Sequence, residues 1–244
     1  REGGAKTTDA QKKAIEKIDA LKEQFRRALK YAELRTRADE ENRPGPAPGP
    51  HLEALAPYAA GEKLVVLHAS SHGDILAAID FAEEMELDWI LSDAADAWKC
   101  VKDLKEHNVR VILGPSMQLP GDEFQPYDAP YSNAARLHEA GVPYAIKAVD
   151  SGPGSATSGR NLPFQAAMAA SYGLPVDEAI KAVTLYPAKI LGVDDQVGSI
   201  GVGKQANLVI TDGNLLQPAT RVKWMFIAGR PVAPESKHTE LNAH

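Results

Sequence analysis

A histidine that directly follows an apolar run is the first residue in this chain with the position of a functional group. Leu64–Leu67 is aliphatic throughout, and His68 comes next. In parallel α/β proteins the chemistry takes place at the carboxyl ends of the strands. A neutral imidazole at such an end binds zinc or a similar metal, but it can also serve as a hydrogen-bonded structural residue. His68 is therefore a candidate metal ligand with a structural alternative.

A second candidate position follows a later run. Residues 142–149 are predicted to form a strand that ends at Asp150, where a loop rich in glycine and serine, Ser151–Gly159, begins. The loop therefore follows the carboxyl end of its strand, and His68 likewise lies at the carboxyl end of its own strand. It has neither the Walker nor the dinucleotide-binding spacing of glycines, so we predict no phosphate site in it.

The elements that must position these residues alternate between strand and helix. Strands are predicted at residues 64–68, 89–92, 109–114 and 142–149, with helices at residues 74–85, 95–107 and 131–140. Such alternation indicates a parallel sheet with right-handed crossover connections. Two further helices, 162–172 and 176–184, follow the loop, and strands at 206–211 and 222–228 predict a small β unit after Gly192.

The N-terminal part has a different character. Its apolar residues recur at helical spacing and predict an amphipathic helix from about residue 9 to residue 37. Such a helix either packs on its own domain or binds a partner. The stretch from Asp39 to Pro50 is charged and then rich in proline and glycine, which excludes helix and inner strand and predicts a linker or long loop.

Composition excludes several classes of protein. The 244 residues are 44% hydrophobic and 25% charged, and the formal net charge of −6 argues against nucleic-acid and anionic-membrane binding. No apolar run approaches the roughly 20 residues of a transmembrane helix. A single cysteine excludes an internal disulfide and fits a reducing compartment. The localisation stays open between the cytoplasm and, if an upstream signal was removed, the periplasm or the exterior.

The C-terminal third carries an extended motif. Gly173-Leu174-Pro175 is followed by a segment that includes Thr184-Leu185-Tyr186-Pro187-Ala188, and then by Gly198-Ser199-Ile200-Gly201-Val202-Gly203-Lys204 and Ala206-Asn207-Leu208-Val209. In its order and length this pattern resembles the amidohydrolase superfamily, in its imidazolonepropionase-like branch. The resemblance covers roughly residues 60–233, more weakly towards Leu64.

The resemblance implies an α/β fold: the C-terminal half of a (β/α)₈ TIM-like barrel with a small C-terminal β-sandwich portion, preceded by the long amphipathic helix. A full barrel takes about 250 residues. We therefore expect residues 1–50 to form the helix and linker, 51–192 the half barrel, 193–233 the sandwich strands and 234–244 a disordered tail. The predicted strands would be barrel strands five to eight.

The resemblance also implies the site. His68 matches the family's strand-five metal ligand, and Asp150 matches the strand-eight aspartate that touches the metal and takes a proton from the attacking water. The strand-six histidine is replaced by Ser92, a poor ligand, and the neighbouring Asp93 should point away from Ser92 because side chains alternate along a strand. The family's strand-one His-x-His pair is not in this sequence. Lys147 could face the interior of the barrel, but it is interpreted as outward-facing.

Two further residues are candidates for substrate contact. Arg160 could bind a substrate carboxylate through its two-pronged guanidinium group, with a plain surface role as the alternative. His72, in the loop after His68, is a candidate substitute ligand or substrate contact. Cys100 lies on a predicted helix and is interpreted as a small buried residue.

These interpretations predict a metal-dependent hydrolase that acts on amide or cyclic amide C–N bonds of a small-molecule substrate. The cofactor would be a divalent metal, with zinc favoured and iron, manganese and nickel as alternatives. The competing hypothesis is a catalytically inactive homologue that serves as a scaffold or binding subunit. Because half a barrel leaves open sheet edges, we expect an oligomeric assembly in which a separate or cleaved chain supplies the N-terminal half.

Overall fold

The computed structural model describes residues 9–120, 124–148 and 158–234. The chain divides into two compact units, one formed by residues 1–66 and 77–89 and the other by residues 67–76 and 90–244. Among the described residues, no helix is both long enough and apolar enough to cross a membrane.

The first unit is built around a long helix, α1 (Asp9–Glu40), with α2 (Pro50–Ala59) packed against it. α3 (His72–Glu84) contributes its C-terminal part to the same unit. The Phe25 and Phe81 rings meet edge to face, 5.8 Å apart, and Lys22 and Arg26 both pair with Glu84. Of the two alternatives for the amphipathic helix, these contacts favour packing within its own unit.

The prediction that Asp39–Pro50 excludes a helix is wrong at both ends, because α1 continues through Glu40 and α2 begins at Pro50. Proline is tolerated at the first helical position, where its missing N–H would have no helical partner in any case. Residues 41–49 contain no helix or strand.

The second unit contains a four-stranded sheet in the order β1 (Val65–Ala69), β2 (Trp89–Asp93), β3 (Val111–Leu113) and β4 (Tyr144–Ile146). β2, β3 and β4 pair in parallel, with Asp93 opposite Leu113 and Leu113 opposite Ile146. Leu91, Val111 and Ala145 are fully buried. The predicted parallel α/β sheet is confirmed, and β1 and β4 form its two edges within the described residues.

Helices connect these strands and follow them. They are α4 (Val101–Glu106), α5 (Ala129–Ala140), α6 (Leu162–Ser171), α7 (Val176–Lys181) and α8 (Leu185–Ile190), with 3₁₀ turns at Ala97–Lys99 and Gly159–Asn161. α5 ends at Gly141, whose φ of 75° is the left-handed cap that glycine permits.

A separate antiparallel sheet contains β5 (Leu208–Thr211), β6 (Val222–Ile227) and β7 (Arg230–Val232). It corresponds to the predicted small β unit. Large apolar side chains remain exposed on it, among them Trp224 at 60%, Ile227 at 53% and Val209 at 51%. The domain boundaries proposed from the sequence stay predictions.

Candidate active site at the carboxyl edge of the sheet

His68, the fourth residue of β1, is held by a carboxylate from the neighbouring strand. Its Nδ1 atom lies 2.7 Å from Oδ2 of Asp93, the last residue of β2. The side chain of His68 is 57% exposed, whereas that of Asp93 is 22% exposed. The two residues therefore form an imidazole–carboxylate pair at the edge where the sequence predicts the chemistry.

Lys147 completes this cluster. It follows β4, and its Nζ atom donates hydrogen bonds to Asp93 Oδ1 and, at 3.2 Å, to Ser92 Oγ. The interpretation of Lys147 as outward-facing is wrong: its side chain crosses the sheet edge. We refer to His68, Ser92, Asp93 and Lys147 as the edge cluster.

Ser92 and Asp93 do not point to opposite sides, as strand alternation predicted, since both contact Lys147. The reason lies in the backbone: φ is 80° at Asp93 and 46° at Ala94, both in the left-handed region. Residues other than glycine adopt this conformation at a cost, and such strain is concentrated at functional sites. The left-handed turn ends β2 and carries the Asp93 carboxylate back towards Lys147.

The charges around Asp93 determine its protonation. Burial acts to raise the pKa of its carboxyl group, but hydrogen bonds from Lys147 and His68 outweigh burial and hold this pKa below its ordinary value. Asp93 is therefore ionised at neutral pH and can only accept hydrogen bonds. It follows that Nδ1 of His68 is the donor.

A small cleft lies beside the edge cluster. It has a volume of about 280 Å³ and is lined by Asp93 together with Ser70, Ala95, Gly114 and Gln118. This volume lies just below the range of about 300–1,000 Å³ that is usual for small-molecule sites. Of the edge cluster, Asp93 contributes to the lining of this cleft.

The other predicted site residues are not brought to this cluster. His72 is the first residue of α3, and its backbone N–H donates to Asp96 Oδ2 at 3.1 Å. Its exposed imidazole makes no hydrogen bond to any described residue. Arg160 is exposed in the 3₁₀ turn Gly159–Asn161. Asp150 lies outside the described residues, so its assignment stays a prediction.

The edge cluster fits one metal ligand rather than a complete set. Nε2 of His68 makes no hydrogen bond to the described residues, and a carboxylate on the other ring nitrogen is the usual support of a metal-binding histidine. In contrast, Ser92 and Asp93 are turned towards the Lys147 ammonium group, which would repel a metal cation. Within the described ranges, no group of three or more histidine, cysteine, aspartate or glutamate residues could hold a metal.

Comparison with known proteins identifies the family. The model of the amidohydrolase family matches residues 60–232. The chain belongs to this family. This confirms the resemblance found in the sequence.

Other amidohydrolases show how much of the family this chain represents. Imidazolonepropionase of Symbiobacterium thermophilum is 39% identical over 93 residues, which are 38% of this chain and 21% of that protein. Imidazolonepropionase of Phocaeicola vulgatus is 37% identical over 111 residues, 45% of this chain and 25% of that protein. An amidohydrolase of Thermotoga maritima superposes with a TM-score of 0.77 and 26% identity over 88% of this chain and 55% of that one. The chain therefore spans about half of this amidohydrolase, and its matches cover about a quarter or less of the imidazolonepropionases.

Proposed function

We propose that the chain is part of a metal-dependent amidohydrolase that cleaves amide or cyclic amide C–N bonds of a small molecule. The observation that carries this proposal is the His68–Asp93 pair, which leaves Nε2 of His68 available at the carboxyl edge of the sheet. Family membership supports the reaction class, and the relatives that the chain resembles include imidazolonepropionases.

In this proposal the residues have separate tasks. Nε2 of His68 and the carboxylate of Asp150 would hold the divalent metal, for which zinc is favoured because imidazole and carboxylate are common zinc ligands. When bound, the metal would supply Lewis acidity that makes water a better nucleophile at neutral pH. Asp150 would accept a proton from the attacking water, and Arg160 and His72 would contact the substrate.

We also propose that the four-stranded sheet is one half of a barrel and that strands from outside this sequence, on a separate or cleaved polypeptide, supply the other half. Three features support this. β1 and β4 are edges within the described sheet, and the unpaired N–H and C=O groups of an edge strand can pair with a further strand. The sheet of β5–β7 exposes Trp224, Val209 and Ile227. The superposed Thermotoga protein extends well beyond the matched region.

The hydrolase proposal is tested by the native assembly and its His68→Ala variant. With a panel of cyclic and open-chain amides and added zinc, the variant should lose at least about 100-fold in kcat/KM, since even the supporting residues of a metal site contribute 10- to 100-fold. His51→Ala, an exposed histidine of α2, is the matched control and should retain full activity. Equal activity of both variants would reject the proposal.

The inactive-homologue hypothesis also has a specific observation in its favour. Lys147 places an ammonium group against Ser92 and Asp93, the positions around the missing strand-six histidine. If the chain is a scaffold, His68→Ala should leave partner assembly and all measurable function intact. Loss of hydrolysis in that variant would decide for the enzyme.

A further inference from the structure

We propose that Lys147 is a positioning residue: acting through Asp93, it fixes the His68 imidazole in the tautomer that carries its proton on Nδ1 and leaves Nε2 free. The tautomer itself is independent of any reaction, whereas its use in metal binding rests on the proposed function. Lys147 is not among the site residues predicted from the sequence.

The register of the sheet shows why a lysine is required. Asp93 lies opposite Leu113, which lies opposite Ile146, and Lys147 follows Ile146. Asp93 and Lys147 are thus two strands apart, a backbone separation of about 10 Å. The side chain of aspartate is short, so only a long, flexible partner such as lysine can close this gap.

Backbone hydrogen bonds connect the ends of β2, β3 and β4 at this edge. Gly114 follows β3, with its backbone N–H donating to Asp93 O at 2.8 Å, while the backbone N–H of Lys147 donates to Leu113 O at 3.0 Å. These two bonds place Gly114 between the two charged residues at the sheet edge.

The Asp93 carboxylate is shared between its two partners. Oδ1 accepts from Lys147 and Oδ2 from His68. Without Lys147, one oxygen of a largely buried carboxylate would lose its partner, and the group could rotate towards water. The bond to His68 would then no longer have a fixed direction.

The orientation of His68 depends on this one bond. Its side chain is 57% exposed, and among the described residues Asp93 is its sole hydrogen-bond partner. The tautomer of a histidine is set by the bond that one ring nitrogen makes. The path from Lys147 through Asp93 to His68 therefore controls which nitrogen faces outwards.

Long-range ¹H–¹⁵N NMR spectra of ¹⁵N-histidine-labelled full chain at pH 9 test the proposal. Signals of His68 are assigned from their loss in His68→Gln. We expect the wild type to show a protonated Nδ1 and a pyridine-type Nε2. In Lys147→Met the pyridine-type signal should come increasingly from Nδ1. In Lys147→Arg it should still come from Nε2. The matched control Lys102→Met, which changes an exposed lysine of α4, should give the same spectrum as the wild type.

Two results would overturn the proposal. One is a proton on Nε2 of His68 in the wild type, and the other is an unchanged His68 tautomer in folded Lys147→Met. Addition of zinc chloride to the wild type then tests the proposed function separately. A zinc-dependent shift of Nε2 supports metal binding by His68. A fixed tautomer without such a shift supports the positioning role of Lys147 and counts against the metal role of His68.

Discussion

The imidazole of His68 and the carboxylate of Asp93 lie 2.7 Å apart although 25 positions separate them in the chain. The sheet brings them together because β1 and β2 are neighbours and both residues lie at the carboxyl ends of their strands. This pair, rather than a set of histidines, is the chemical centre of the described structure.

The support that Asp93 gives to His68 can be measured as metal affinity. In the native assembly, Asp93→Ala should weaken zinc binding about 10- to 100-fold, the usual effect of removing the hydrogen-bond partner of a ligating histidine. Competition with a chromophoric chelator measures this. Asp195→Ala removes an exposed carboxylate of the same unit and should leave the affinity unchanged; an equal loss in both variants would indicate a general charge effect instead.

Cys100 should be unreactive in the folded protein. The thiol is fully buried, and burial, with smaller contributions from Asp103 and Asp96, raises its pKa to about 11. Thiolate is the reactive form, so a thiol reagent at pH 8 should modify the chain only after urea is added. Rapid modification of the native protein would contradict the described packing around Cys100.

The same pKa predicts a pH dependence of stability. Because the thiol binds its proton more tightly in the folded state than in the unfolded state, its contribution is complete below pH 9 and is lost as the pH rises towards 11. Over this range, the free energy of unfolding of the wild type should fall by roughly 2–3 kcal/mol relative to Cys100→Ala. Urea titrations of both proteins give the difference, and parallel pH profiles would argue against it.

A comparison of two glycines of the family motif distinguishes the cost of backbone strain from the cost of steric overlap. Gly198 and Gly203 have nearly equal φ values of 89° and 88°. A Cβ atom on Gly198 would lie 2.6 Å from Ala188 Cβ and 2.9 Å from Thr184 O, whereas one on Gly203 would meet nothing within 4 Å. Gly203→Ala should therefore cost about 1–2 kcal/mol of stability, and Gly198→Ala about 1–3 kcal/mol more.

Urea midpoints of these two alanine variants test the comparison. If the two midpoints coincide, the close contact of Gly198 with the segment around Ala188 does not limit the size of the side chain at position 198.

Asp96 should be important for stability rather than chemistry. It is 7% exposed and accepts hydrogen bonds from the backbone N–H of His72 at 3.1 Å and from Gln125 Nε2 at 2.7 Å. Asp96→Ala removes the buried acceptor of these two hydrogen bonds and should lower the free energy of unfolding by about 2 kcal/mol. Asp80→Ala, at an exposed position of α3, should change it by less than about 0.5 kcal/mol.

The strands of the parallel sheet could be predicted from the sequence because each is a short apolar run between turn residues. Trp89–Ser92 was predicted and Trp89–Asp93 is observed. His68 was found for the same reason, since it follows directly on such a run. Periodicity likewise predicted α1, whose apolar residues recur at helical spacing over many turns.

The partners of His68 could not be predicted in this way. Strand alternation placed Asp93 on the wrong side, because the left-handed backbone at Asp93 and Ala94 is a local exception to that rule. Lys147 reaches its partners across an intervening strand, and this contact depends on the register of the sheet. α2 was missed because proline at the first helical position has the same composition signal as a linker.

Metal content is the most direct test of the central claim, that His68 holds a catalytic divalent metal through Nε2. The native assembly and its His68→Ala variant are purified without chelators and analysed by inductively coupled plasma mass spectrometry. We predict a stoichiometric divalent metal, zinc before iron, manganese or nickel, in the wild type and its loss in the variant. The absence of metal from an active wild-type assembly, or equal metal in both proteins, would contradict the account.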